Sequence, residues 1–146
     1  MAFTNPTNAE IAARLQQVRN IAVIGLSPTP TRPSFGVSEA MQRAGFRIIP
    51  VRPGVESVLG ERAWATLAEV PDRIDLVNVF RAPEHVPAIV EEVLRLGIPA
   101  LWLQDGVIDA PSAERAQAAG GFVVMDRCLK RDGLPLVNST ASKGGK

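Results

Sequence analysis

The sequence predicts an α/β fold in which five parallel strands form a doubly wound sheet with helices on both faces. Five short apolar segments recur roughly every 25 residues, and helical patterns lie between them. Alternation of strand and helix is typical of parallel strands joined by right-handed crossovers. Most of the apolar segments are continuous rather than alternating, as expected of strands covered on both faces. The 146 residues suit a single domain of this Rossmann-like type.

The individual elements follow from local patterns. A leading helix over residues 7–18 begins at Thr7, because Thr7 and Glu10 match a capping box. Apolar residues at helical spacing predict further helices around Val37 and Val86, and an alanine-rich helix spans 109–119. The segment between the second and third strands is irregular and predicts a loop with one short helix. The predicted strands occupy residues 21–25, 46–51, 74–80, 99–103 and 122–125.

The domain is expected to span residues 1–137, followed by a small polar tail over 138–146 that we expect to be disordered. One cysteine and one histidine exclude an internal disulfide and a metal site built from several such residues. A net charge of +1 argues against nucleic-acid and membrane partners. The N-terminus does not resemble a signal peptide and no apolar run could span a bilayer, so we expect a cytoplasmic protein.

The loop after the first strand is the first candidate site, because sheets of this kind bind ligands at the carboxyl ends of their strands. A dinucleotide-binding fold has G-x-G-x-x-G at this point. This chain keeps Gly25, has Ser27 in place of the second glycine and is stiffened by Pro28. Arg32 and Ser34 supply charge and a hydroxyl beside a helix start that suits phosphate. The alternative is that Ser34 only caps the helix and the prolines only stiffen a turn.

The residues after the second strand, Val51, Arg52 and Pro53, indicate the class of nucleotide. NAD-binding proteins place an acidic residue near here to hold the ribose hydroxyls. Arg52 instead favours a nucleotide that carries an extra phosphate on its ribose, and both NADP and coenzyme A meet that description. A solvated surface arginine is the alternative.

The remaining strand ends contribute Arg81, Gln104 and Gly106, which we expect to face the same cleft. The single histidine, His85, begins a helix and is predicted to be a surface or capping residue. Cys128 follows the last strand beside Arg127, whose charge would favour a reactive thiolate, but a buried and inert cysteine is the preferred interpretation. No general acid–base pair is evident.

Five segments in order resemble a known family: IAVIGLSPTPTRPSFGV, GFRIIPVRPG, LVNVFRAPEHVP, WLQDG and VVMDRCLK. They are similar to the small stand-alone bacterial CoA-binding proteins, which resemble the N-terminal Rossmann domain of the succinyl-CoA synthetase alpha subunit. The resemblance covers residues 20–130. It implies a five-stranded Rossmann domain that binds coenzyme A across the strand ends. Carried over by position, the site would include Gly25, Ser27, Arg32, Val51, Arg52, Pro53, Phe80, Arg81 and Gln104.

The chain departs from that family at two places. The family usually has asparagine where this chain has Arg52, and a Glu-His pair shortly after the DRC motif where this chain has Arg131, Asp132 and Gly133. The synthetase's phosphohistidine belongs to a second domain, and His85 does not match it by position. A ligase reaction by this chain alone is therefore not expected.

The sequence as a whole predicts binding of coenzyme A or an acyl-CoA without catalysis by the chain itself. One alternative is an NADP-dependent oxidoreductase or the nucleotide-binding fragment of one. Another is a regulatory subunit that senses coenzyme A for a protein partner. In each case we expect the cleft to bind a small nucleotide ligand.

Overall fold

Five parallel strands form the central sheet of the computed structural model, which describes residues 2–137. The tail over 138–146 lies outside the described residues. The sheet order β2-β1-β5-β6-β7 confirms the predicted fold class, and two further short strands pair separately. The strands are β1 (Asn20–Ile24), β2 (Arg47–Val51), β3 (Ser57–Val58), β4 (Glu61–Arg62), β5 (Leu76–Val79), β6 (Ala100–Leu103) and β7 (Phe122–Met125).

Helices cover both faces of this sheet. They are α1 (Asn8–Leu15), α2 (Pro33–Arg43), α3 (Val86–Arg95) and α4 (Ala110–Ala118). One apolar core joins α1 and α2 to a sheet face that includes Trp102, and a π-helical turn at Leu129–Gly133 closes it. The other core joins α3 and α4 to the opposite face. Successive strand residues therefore point into two different cores, which explains why the strand sequences are apolar throughout.

The leading helix begins as predicted and ends earlier. Thr7 N–H donates to Glu10 Oε1 at 2.8 Å and Glu10 N–H donates to Thr7 Oγ1 at 3.2 Å, which confirms the capping box. The predicted end at residue 18 is wrong, because the helix stops at Leu15 and its last turn tightens through a bond from Val18 N–H to Leu15 O. The chain then turns to enter β1, where Asp75 Oδ2 accepts hydrogen bonds from the N–H groups of Arg19 and Asn20.

The connection between β2 and β5 contains the expected short helix, a 3-10 turn at Leu67–Glu69, and an antiparallel pair that the sequence did not predict. The turn between β3 and β4 has Leu59 at φ 55° and Gly60 at φ 78°. Hairpin turns with positive φ at both central residues normally carry Asn-Gly or Gly-Gly. Because leucine occupies the first position here, the sequence lacks the pattern that would have predicted the hairpin. Gln42 Nε2 donates to Leu59 O and ties the hairpin to α2.

The strand order places a crevice at one end of the sheet. β1 lies between β2 and β5, and the chain passes from β1 to β2 on one side before returning to β5 on the other. Ligands of open α/β sheets bind outside the carboxyl ends of the strands at such a reversal. Across residues 2–137, none of the helices has the length and apolarity needed to cross a membrane.

Ser38 provides a test of the packing beneath α2. The residue is 1% exposed, and its hydroxyl has no hydrogen-bond partner among the described residues. We expect Ser38→Ala to raise the free energy of unfolding by about 1 kcal/mol, because alanine removes an unpaired buried hydroxyl and favours helix. Urea denaturation measures the change. Ser112→Ala is the control, since the Ser112 hydroxyl donates to Asp109 and its loss should destabilise. Equal destabilisation by both variants would refute the interpretation.

Candidate functional site

A cleft of about 790 Å³ opens at the carboxyl ends of β1, β2 and β5. Sites for small molecules typically enclose about 300–1,000 Å³, so the cleft can take a ligand of cofactor size. Most of the residues nominated from the sequence line it. Those nine are Gly25, Ser27, Arg32, Ser34, Val51, Arg52, Pro53, Phe80 and Arg81.

Gly25 joins three strand ends at the base of the cleft. Its N–H donates to Val51 O at 3.0 Å, and Phe80 N–H donates to Ile24 O at 2.9 Å. Gly25 has φ +83°, and a Cβ placed on it would lie 2.3 Å from Phe80 O. Glycine is therefore required both by the backbone conformation and by the close approach of the neighbouring strand.

The first loop is held by serine hydroxyls. Ser27 N–H donates to Ser34 Oγ at 2.9 Å, and Thr29 N–H donates to Ser27 Oγ at 3.0 Å. Ser34 does not cap α2, because the capping position belongs to Arg32 and Pro33 is the first helical residue. Each hydroxyl accepts a backbone hydrogen and keeps its own proton as a donor. The loop thus presents hydroxyl donors in fixed positions beside a helix N-terminus.

Three arginines, Arg32, Arg52 and Arg81, line the cleft. Within residues 2–137, none of them lies within 4.0 Å of a carboxylate oxygen, whereas seven arginines elsewhere in this part of the chain form such ion pairs. The cleft therefore concentrates positive charge that the net charge of the chain conceals. Such charge together with hydroxyl donors suits phosphate groups.

His85 positions one of these arginines. Arg81 Nη2 lies 3.0 Å from His85 Nε2. Because a guanidinium can only donate, Nε2 is the acceptor in this contact. His85 is exposed and stands at the start of α3, where its side chain makes no capping hydrogen bond. The prediction of a surface or capping position is confirmed, because His85 is exposed and is the N-cap residue of α3.

Sequence reasoning missed the outer wall of the cleft. Ala65, Thr66 and Leu67 form one part of it, and Ile89 and Glu92 form another. The first part is held beside β2 because Trp64 N–H donates to Pro50 O at 3.0 Å and Arg52 N–H donates to Trp64 O at 2.7 Å. The i, i+3 spacing of Ile89 and Glu92 places both residues on one face of α3, which could have predicted the second part of the wall. The apolar pattern, however, indicated Ile89 only as a core residue.

Three nominated residues do not line the cleft, which corrects the expectation for them. Pro28 is exposed on the outside of the first loop. Gln104 is 3% exposed and turns inward, where its Oε1 accepts Leu129 N–H at 2.9 Å. Gly106 N–H donates to Asp126 Oδ1 at 2.8 Å. The loop after β6 is thus used to anchor the C-terminal segment.

The same segment contains Arg131 and Asp132, which stand where the resemblance implied a Glu-His pair. Arg131 bonds both oxygens of Asp105, at 2.7 and 3.0 Å, and also contacts Asp132. Burial alone would raise the pKa of Asp132, but bonds from Arg131 and the Cys128 amide outweigh it and lower that pKa. Cys128 is partly buried, and its Sγ accepts a long bond from Arg131 N–H at 3.5 Å. These residues fasten the π-helical turn to the loop after β6.

Comparison with known proteins places the chain among relatives of similar length. It is 44% identical over 126 residues to the uncharacterized protein YneT of Bacillus subtilis. The aligned residues cover 86% of this chain and 93% of that protein. The solved structure of cell-free ID.343 from Thermus thermophilus is 36% identical, with a TM-score of 0.83 over 90% of this chain and 99% of that one.

More distant similarity extends to a large enzyme. An acetate–CoA ligase (ADP-forming) of Archaeoglobus fulgidus is 28% identical over 82 residues, which are 55% of this chain and 12% of that ligase. The sequence model of one family, described as the CoA binding domain, matches residues 19–133, which include every residue that lines the cleft. The chain therefore belongs to the CoA binding domain family.

Proposed function

We propose that this chain binds coenzyme A in the cleft at the strand ends. The observation that carries the proposal is the group of three arginines without carboxylate partners, set beside hydroxyl donors in a CoA binding domain. Coenzyme A carries a pyrophosphate and a separate phosphate on its ribose. Cations and hydrogen-bond donors at a strand reversal are what such a ligand requires.

The pyrophosphate is assigned to the first loop. Ser27 and Ser34 are buried there with their hydroxyl protons still available as donors. Arg32 stands at the start of α2, whose N-terminal dipole also favours negative charge. Charge-assisted bonds from these groups hold phosphate oxygens more strongly than neutral ones do.

The ribose phosphate is assigned to Arg52. Its backbone is fixed between β2 and Trp64 by the bond from Arg52 N–H to Trp64 O. An acidic residue at this point would repel a ribose phosphate, and an arginine attracts it. Phe80 and Arg81 then lie where the pantetheine arm leaves the pyrophosphate.

The role we propose is binding without catalysis by the chain itself. Among the described residues, the ionisable side chains that line the cleft are three arginines and Glu92. Arginine stays protonated in proteins, so these three side chains can bind phosphate but do not act as general acids or bases. The nearby imidazole of His85 is already engaged by Arg81.

Titration calorimetry of the full chain with coenzyme A, acetyl-CoA, NADP and NAD tests this proposal. We expect one molecule of coenzyme A or acetyl-CoA to bind per chain, and NADP to bind at least about tenfold more weakly because it lacks the pantetheine arm. Binding of NADP without binding of coenzyme A would refute the proposal and favour the oxidoreductase alternative.

A further inference from the structure

The cleft contains a carboxylate that phosphate binding does not explain. Among the described lining residues, Glu92 is the one acidic side chain, and it is 26% exposed. The helix α3 begins at Val86 just beyond the end of β5 and runs back across the sheet toward β6. At about 1.5 Å per residue, Glu92 lies about 9 Å along this helix, away from the strand ends that carry the arginines.

The cleft that Glu92 lines also has an apolar part. Ile24 and Val51 are partners in the register of β1 and β2, so their side chains stand next to each other. Leu67 and Ile89 approach from the two walls, and all four belong to one apolar core while also lining the cleft. Such a surface accommodates the faces of an aromatic ring better than it does a sugar or a phosphate.

We infer, on the basis of the proposed function, that this apolar surface takes the adenine ring and that Glu92 selects adenine through its 6-amino group. A carboxylate only accepts hydrogen bonds, and the 6-amino group of adenine donates. A purine with an oxygen at that position presents an acceptor to the carboxylate and is rejected. Glu92 is thus a residue that determines base specificity.

The ion pair between Glu92 and Arg95 does not prevent Glu92 from binding adenine. Arg95 Nη2 lies 3.5 Å from Glu92 Oε2, and the Arg95 side chain is 63% exposed. Exposed pairs of this kind are weak, and a carboxylate has two oxygens with several acceptor positions. The carboxylate can therefore keep Arg95 and accept from a base.

The test compares coenzyme A with its hypoxanthine counterpart, in which the 6-amino group is replaced by oxygen, using calorimetry. We expect the wild-type chain to prefer coenzyme A about tenfold to a hundredfold, the usual effect of a hydrogen bond to a charged group. Glu92→Gln should reduce this preference to about threefold or less, because the amide offers a donor as well as an acceptor. The control is Glu91→Gln, which removes a neighbouring carboxylate paired with Arg115 at 3.1 Å.

The outcomes separate this inference from the proposed function. Equal wild-type affinity for the two ligands overturns the selection of adenine by Glu92 and needs no variant. If Glu92→Gln lowers the affinity for the two ligands equally, the inference is also overturned, because the effect of Glu92 would then not depend on the group at position 6 of the base. An unchanged preference in Glu92→Gln does the same. Failure of both ligands to bind the wild-type chain overturns the proposed function and this inference together.

Discussion

Replacing Gly25 by alanine is expected to lower the free energy of unfolding by about 2–5 kcal/mol. A non-glycine residue in the left-handed region costs about 1–2 kcal/mol, and forcing an atom into packed structure costs about 1–3 kcal/mol more. The second cost applies because the new Cβ would lie 2.3 Å from Phe80 O and 3.1 Å from Arg81 Cδ. Urea denaturation measures the loss of stability. To relieve these contacts Phe80 and Arg81 would have to move, so the affinity for coenzyme A should also fall.

Gly97→Ala is the matched control for this variant. Gly97 has φ +70° at the end of α3, and a Cβ there would meet nothing within 4 Å. It should therefore carry only the backbone cost of about 1–2 kcal/mol. Coenzyme A affinity should stay unchanged, because Gly97 lies outside the cleft lining. An equal loss of stability in the two variants would show that the contact between Gly25 and Phe80 does not constrain the strand ends.

Replacing Arg52 by alanine is expected to weaken binding of coenzyme A by about 1–3 kcal/mol, the scale of a lost charge-assisted hydrogen bond. The loss should be specific to the ribose phosphate. Coenzyme A that lacks this phosphate should bind the wild-type chain more weakly and should bind Arg52→Ala almost as well as it binds wild type. Calorimetry on the two proteins and two ligands gives the coupling directly.

Arg43→Ala separates this contact from general electrostatics. Arg43 is an exposed cation on α2 that pairs with Glu39 at 3.5 Å, and it does not line the cleft. Its removal changes the net charge as Arg52→Ala does, so any nonspecific effect on an anionic ligand appears in both. If Arg52→Ala weakened the two forms of coenzyme A equally, the assignment of Arg52 to the ribose phosphate would be wrong.

The fold and the inner part of the cleft could be predicted because they depend on local patterns. Continuous apolar segments indicate strands covered on both faces, and the residues that follow parallel strands meet at one edge of the sheet. This reasoning brought together Gly25, Arg52 and Arg81, which are distant in sequence. The structure confirms their common location in the cleft, while their contacts with a ligand remain a prediction.

The other features of the site depend on tertiary contacts that no local sequence pattern predicts. Whether Gln104 faces a ligand or the core is decided by its bond to the backbone of Leu129, which lies 25 residues later. The wall at Thr66 exists because Trp64 pairs with β2, and an isolated bridge of this kind has no periodicity. Glu92 carries a polar side chain on a helix face, and sequence alone could not distinguish a solvated position from one that lines a cleft.

The most direct test of the account is to map the backbone amides that respond to coenzyme A, by NMR titration of the isotopically labelled chain. We predict that the amide signals of Gly25, Ser27, Arg52 and Arg81 shift with saturation at one ligand per chain, while that of Gly106 does not. Shifts centred on Gly106 and Leu129, with the first loop unchanged, would contradict the placement of the ligand. The absence of any shift at saturating coenzyme A would contradict the proposed function itself.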